Sequence, residues 1–366
     1  AYSLVDLERE VLNPEGGGPK QVRLNVRVRE IRPWQIRYGA YYDTERGPGG
    51  IADVSVRNLL GSARAAGFRT RYDSDLREAR AYFSQPLLRR FPVETTASTY
   101  YRRELQETFI NDRLGVSLQQ QMRFGQHYVL NYGYRLERSH TFDREPDPLF
   151  PFDVTLRVAP LSVSLSRETR DEILDASRGS FSSHALEWAA EPLGSQLRFV
   201  RYFGQYFKYL PLARPREIPW TKAYKPRLVY AGGVRLGLAA GLGGQELVPS
   251  ERFFAGGGTS IRGFGQNFAG PLDFLGEPEG GEAVFIANNE LRFPVYSIFD
   301  GVGFADLGNV YRKVSDFRLA DLRKTGGFGL RVRTPYFLLR LDYGIKLDRR
   351  PGESFGQLFF SIGQAF

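Results

Sequence analysis

The sequence predicts an all-β protein: a sixteen-stranded antiparallel transmembrane β-barrel with one very long loop, preceded by a fragment of a separate small domain. Three observations point there. The 366 residues include 40 Gly, 28 Phe, 20 Tyr and 50 Lys plus Arg, with one Met and no Cys, a mixture suited to many turns and aromatic girdles. No stretch of about 18 apolar residues occurs, which excludes a helical span. Runs of apolar–polar alternation recur along most of the chain, the period of strands with one dry and one wet face.

The mean hydropathy of −0.36 is compatible with a membrane barrel, because its inward side chains are polar and dilute the average. The net charge of +9 is spread over strands in which arginines alternate with apolar residues. That is not the clustered basic face of a nucleic-acid binder, so no nucleic acid is expected as a partner. The absence of Cys suits a cell-envelope protein.

Residues 1–32 differ from the rest of the chain. Val22, Leu24, Val26 and Val28 alternate with Arg23, Asn25, Arg27 and Arg29, a half-buried strand. A first strand over 4–12 is parted from it by a turn rich in Pro and Gly at 13–19. From Trp34 the expected strands cover 34–42, 51–59, 63–73, 76–85, 92–104, 112–124, 127–141 and 153–168. Eight more cover 180–190, 196–208, 227–240, 283–293, 297–307, 326–334, 336–347 and 355–366. Sixteen is an even number, as single-chain bacterial barrels require.

The clearest strand spans 336–347. Phe337, Leu339, Leu341, Tyr343, Ile345 and Leu347 share one face; Arg340, Asp342, Gly344 and Lys346 share the other. A soluble sheet gives the same pattern, but so many dry faces would need a second sheet or helices to cover them. Closure into a barrel removes the edges that lipid does not tolerate. Tight links (58–62, 125–126, 294–296) contrast with long ones (144–152, 211–226, 241–282, 308–324), which reads as short turns on one side and long loops on the other.

The longest link contains Gly256, Gly257 and Gly258, then Ser260, Ile261, Arg262, Gly263 and Phe264. No helix pattern comes after these glycines, so a phosphate cradle is not the reading. Spacing alone leaves Arg262 either an exposed loop charge or a cation in need of an acidic partner. The segment 253–257 (Phe-Phe-Ala-Gly-Gly), then Arg262-Gly263-Phe264, resembles the loop tip of the BamA/TamA superfamily of outer-membrane protein assembly and translocation barrels, the bacterial surface antigen type with POTRA domains. Residues 39–61, closing on Asn58-Leu59-Leu60-Gly61, resemble that family's first hairpin, and the resemblance covers 34–366.

The resemblance implies a barrel over 33–366 whose long loop, about 241–282, folds into the lumen. It implies that Arg262 meets two lumen partners, Glu290 and Asp306. It identifies 1–32 as the C-terminal remnant of a POTRA domain whose remainder lies upstream. Leu358, Phe360, Ile362 and Phe366 share one parity and resemble a β-signal, although an ordinary closing strand reads the same. A lateral seam between the first and last strands would involve Trp34, Tyr38 and Tyr42 on one side and Phe360, Ile362, Gly363 and Phe366 on the other.

The implied location is the bacterial outer membrane. The implied partners are its lipids, including lipopolysaccharide, and unfolded outer-membrane or secreted client proteins. A periplasmic or inner-membrane partner would act through upstream POTRA domains. The implied function is to insert or translocate proteins through the seam. The alternatives are a two-partner-type secretion pore, or the membrane anchor of an upstream enzyme such as a patatin-like lipase. No enzyme is expected: His127, His140 and His184 lack ligand spacing, and Ser139 beside His140 is no triad. Neither cofactor nor metal is expected.

Overall fold

The computed structural model describes residues 2–11, 22–30, 32–59, 61, 63–86, 93–145, 151–173, 175–213, 228–296, 298–333 and 338–363. Two strands, β1 (Tyr2–Val11) and β2 (Val22–Glu30), form a small antiparallel sheet of their own. The wall begins with β3 (Trp34–Asp43), β4 (Gly47–Leu59), β5 (Arg64–Tyr72), β6 (Leu76–Gln85), β7 (Val93–Leu105), β8 (Phe109–Phe124) and β9 (Tyr128–Asp143). It continues with β10 (Asp153–Val158), β11 (Pro160–Glu168), β12 (Gly179–Ala189), β13 (Phe199–Pro211) and β14 (Val229–Gly241). It ends with β15 (Ala283–Tyr296), β16 (Phe299–Tyr311), β17 (Arg323–Arg333), β18 (Leu338–Lys346) and β19 (Gly356–Gly363). Every neighbour is antiparallel, and β19 returns to β3 to close the ring.

The segments β10 and β11 are halves of one interrupted strand, so the wall has sixteen strands. The ladder with β9 stops at Val158↔Glu137 and resumes at Leu161↔Tyr134. Pro160 has no N–H to offer the ladder. The Ala159 N–H leaves it and donates to Ser195 Oγ at 3.1 Å.

The wall is inverted relative to a soluble fold. Along β8, Asn111, Arg113 and Ser117 are buried, while Leu114, Val116 and Leu118 are 59, 52 and 50% exposed. On β18, Asp342 and Lys346 are buried and Leu341 is exposed. Apolar side chains facing out and charges facing in are favourable only where the outer solvent is hydrocarbon.

Several expected boundaries move. Residues 47–50, which fall between the expected strands 34–42 and 51–59, belong to β4; a Cβ at Gly49 would collide with the Tyr41 ring, so glycine makes room for an aromatic neighbour within the sheet. Residues 294–296 are not a turn. β15 runs through them, Pro294 pairs with Asp300, and β16 continues to Tyr311. The asymmetry of links also needs correction. Strand alternation puts the connection between β13 and β14 on the same side as the tight 125–127 link, and the short 44–46 and 73–75 links on the side of 242–282. Link length therefore does not separate the two faces.

The outward placement of Val163, midway along β11 and exposed, makes a testable claim about its solvent. Val163→Arg is expected to lower unfolding stability by about 2–4 kcal/mol in phospholipid vesicles, the cost of a cation on a lipid face near mid-depth. Denaturant unfolding curves that superimpose on those of the parent chain would reject lipid exposure of that face.

Candidate functional site: a loop arginine, its acids and the strand seam

The loop 242–282 joins β14 to β15, the eleventh and twelfth strands of the wall. Gly263 sits at φ 98, a conformation that side chains disfavour, and this bend turns the Arg262 side chain toward the neighbouring strands. Arg262 is 3% exposed. Its Nε and Nη2 donate to the two oxygens of Asp306, each at 2.7 Å, and its backbone N–H adds a third bond at 3.2 Å. Nη1 donates to Glu290 Oε1 at 2.6 Å. The guanidinium lies 3.6 Å from the centre of the Phe304 ring. A planar fork engaged on one carboxylate, tied to a second and stacked on an aromatic is a geometry lysine does not reproduce.

The acids are themselves held. Asn288 Nδ2 donates to Asp306 Oδ1 at 2.8 Å and to the loop carbonyl of Ser260 at 2.7 Å. Arg292 Nε donates to Glu290 Oε2 at 2.9 Å. Asp342 stands 3.9 Å from Arg262 Nη1 and is gripped on both oxygens by Arg331. Phe264, 2% exposed, receives the cations of Arg323 and Lys346 at 4.6 and 4.8 Å from its ring centre. A Cβ on Gly344 would strike the backbone of Gly263, so the tip lies directly on β18. Ile261 anchors an apolar cluster with Ala255, Val284, Ile286 and Val310.

Elsewhere the loop carries the opposite charge. Glu251 is fully buried, accepts from Arg201 Nη1 at 2.8 Å and lies 3.5 Å from Arg113 Nη2, which also donates to the Ser250 carbonyl at 3.0 Å. Burial opposes ionisation of Glu251, yet Arg113, Arg201 and Arg135 outweigh it and hold the carboxyl below the usual carboxylate range. Gln266 donates to Asp75 at 2.8 Å and Asn267 to Gln106 at 2.7 Å, in links on other parts of the ring.

The sequence points to Arg262, Gly263, Phe264, Glu290 and Asp306, and the structure places these five in one cluster. It does not single out Asp342, Phe304, Asn288 or Glu251. Asp342 carries a usable signal, since it sits on the wet face of the clearest alternating strand.

The seam residues are less uniformly placed. β19 and β3 share two ladder pairs, Ser361↔Asp43 and Ile362↔Tyr42. The Thr44 N–H donates to the Phe360 carbonyl at 3.0 Å, and the Phe360 N–H donates to Thr44 Oγ1 at 3.2 Å. Tyr42 and Phe360 have ring centres 6.2 Å apart. Among the described residues, Trp34 and Tyr38 pair with β4 only, and Tyr38 is 87% exposed. Gly363 pairs with Leu338 of β18 and with no described residue of β3; Phe366 lies outside the described residues. The loop touches both sides of this seam. The Gly258 N–H donates to Glu45 Oε2 at 3.0 Å, and a Cβ on Gly258 would stand 3.2 Å from Phe359.

A closed ring with an inverted wall and a long loop ion-paired to its own strands defines a transmembrane β-barrel of the outer-membrane type. The chain belongs to the Omp85 superfamily, whose domain matches residues 58–366, and it is a bacterial outer-membrane protein. It is 26% identical over 375 aligned residues to the outer membrane protein assembly factor BamA of Nitratidesulfovibrio vulgaris, covering 100% of this chain and 45% of that protein. It is 27% identical over 183 residues to the chloroplastic outer envelope protein 39 of Arabidopsis thaliana, covering 45% of this chain and 48% of that one. The chain thus spans about half the length of these two relatives.

Among solved structures, BamA from Haemophilus ducreyi lacking POTRA domains 1–3 superposes with a TM-score of 0.81 at 17% identity, over 100% of this chain and 76% of that one. CdiB from Acinetobacter baumannii superposes with a TM-score of 0.57 at 14% identity, over 99% of this chain and 65% of that one.

The loop's two charges can each be tested. Arg262→Ala strands Asp306 and Glu290 without their cation and is expected to cost about 3–5 kcal/mol of barrel stability, with Gly344→Ala weakening the same contact by steric means; unchanged heat-modifiability of both variants would argue against the pairing. Because the Glu251 carboxyl has a depressed pKa in the folded state, its contribution is complete above the unfolded-state value and is lost as pH falls through the lower folded-state value. The stability difference between the parent chain and Glu251→Gln is therefore expected to hold constant down to about pH 5 and to shrink below about pH 4; a difference already declining near neutrality would contradict it.

Proposed function

We propose that this barrel assembles client proteins into the outer membrane through the seam between β3 and β19. One observation carries the reading: among the described residues the ladder that closes the ring is two pairs, Ser361↔Asp43 and Ile362↔Tyr42. A short ladder is readily opened, and a strand edge released from its neighbour is a template for another chain. A client's edge strand would add to it by β-augmentation and leave sideways into lipid once paired.

In this reading the loop 242–282 is folded into the lumen as a brace, with Arg262 bound to Glu290 and Asp306 and with Gly263 against Gly344 and Phe264 against Arg323 and Lys346. The sheet of β1 and β2 is read as part of a POTRA domain, through which periplasmic or inner-membrane partners would act. The kinship with an assembly factor and the superposition on BamA over the whole of this chain support the choice of client class. A second reading, a two-partner-type secretion pore, is supported by the superposition on CdiB. It requires the loop to leave the lumen, whereas the seam reading does not.

The chain has no Cys, so a disulfide can be introduced without interference. Tyr42 and Ile362 are register partners. Tyr42→Cys with Ile362→Cys, oxidised, is expected to abolish client insertion into vesicles and to recover on reduction. Client insertion at the parental rate with the seam locked would overturn the proposal. Loop-dependent single-channel conductance in the locked barrel would then favour the pore.

A further inference from the structure

On the outer wall, Arg138 of β9 and Arg157 of β10 stand directly opposite each other in the ladder, and both are exposed. Like charges across a strand pair destabilise a sheet unless something neutralises them. No acidic group among the described residues does so. Arg157 spends its Nε on the Gly194 carbonyl at 2.6 Å, and Arg138 makes no ion pair or side-chain hydrogen bond among the described residues. Two acids on this part of the outer face, Asp112 and Asp153, are already engaged. Asp112 is held by Arg103 at 2.6 and 2.5 Å, and Asp153 by His140 at 2.9 Å.

A second feature lies beside the two arginines. Because the ladder breaks between β10 and β11, Arg135 and Leu136 of β9 have no partner opposite them on the interrupted strand. A groove of about 580 Å3 lies on the wall here, lined by Leu114, Val116, Leu136 and Thr155 together with Arg138 and Arg157. A further groove of about 510 Å3 lies toward the middle of the wall, lined by Leu118, Tyr134, Leu161 and Trp188. Leu118 and Tyr134 are register partners, each two residues along its strand from Val116 and Leu136 of the first groove. The apolar track thus starts at two cations and runs along the lipid-facing side.

We propose that this track binds a bilayer lipid carrying a phosphate headgroup, the phosphate held between Arg138 and Arg157 and an acyl chain lying over Leu136 and Val116. Guanidinium groups match phosphate oxygens in geometry and charge, and an anion between them removes the like-charge conflict. The position fits. The arginines lie toward the end of β9 that leads to residues 144–152, the side of the long loop, level with Leu114 at the edge of the exposed apolar band, the depth at which headgroups meet a barrel wall. The site is independent of the seam and of any client.

The test uses the full chain in detergent micelles, with lipid retention read by native mass spectrometry. Dioleoyl phosphatidic acid is the probe, dioleoylglycerol lacks the phosphate, and glycerol phosphate lacks the chains. Phosphatidic acid is expected to be retained, dioleoylglycerol to be lost, and excess glycerol phosphate to displace nothing. Arg138→Gln with Arg157→Gln is expected to weaken retention about tenfold or more. Leu136→Trp, which fills the groove and leaves both arginines, is expected to weaken it as well. Heat-modifiability establishes that each variant is folded. Equal retention of phosphatidic acid and dioleoylglycerol, displacement by glycerol phosphate, or parental retention by either folded variant would overturn the proposal.

Discussion

Hydrocarbon offers a peptide group no hydrogen-bond partner, and the rest of this structure depends on that constraint. A sheet in such a solvent must close, so each strand finds a neighbour on both sides and the last returns to the first. Closure also sorts the side chains. With alternation at every step, Leu114, Val116 and Leu118 face out while Arg113 and Ser117 face in. Where a strand cannot complete its ladder, something local must compensate. At Pro160 the wall breaks, and Ser195 takes the backbone N–H the ladder leaves behind.

Closure gathers charge inside, and those charges have to be paired. The long loop meets the demand with both signs. Arg262 enters a cluster of carboxylates, and Glu251 enters a cluster of arginines. Each is a buried ion whose desolvation is offset only by close, well-directed partners. Two anchors of opposite charge attach the loop to different arcs of the ring. Gly258, between them, brings the loop against Phe359 of β19, and beside Gly263 the strand β18 carries Gly344, where a Cβ would not fit.

The seam is a second place where, among the described residues, the pairing is short. Most adjacent strands share long ladders, such as the run from Phe199↔Gly241 to Pro211↔Val229 between β13 and β14. Between β19 and β3 the ladder is two pairs among the described residues. The loop contacts Glu45 on one side of that joint and Phe359 on the other, so the loop that carries Arg262 and Glu251 also adjoins the seam.

Much of this was legible in the sequence, because period-two alternation reports directly which face of a strand is dry. The strand over 336–347 and the even count of strands needed no tertiary information, and the motif at Arg262 with its resemblance named Glu290 and Asp306. Tertiary structure decided what alternation does not encode. Which acids converge on Arg262 depends on ring closure, which brings Asp342 of β18 near a loop that precedes it by many residues. The segment 47–50 falls outside the expected strands, yet it belongs to β4, with Tyr41 in the space a Cβ at Gly49 would take. The side on which a link emerges depends on counting strands around the ring, not on its length. The register at which β19 meets β3 is a single global property of the closed barrel. Composition and spacing report local preference; partners across a ring are assigned only when it closes.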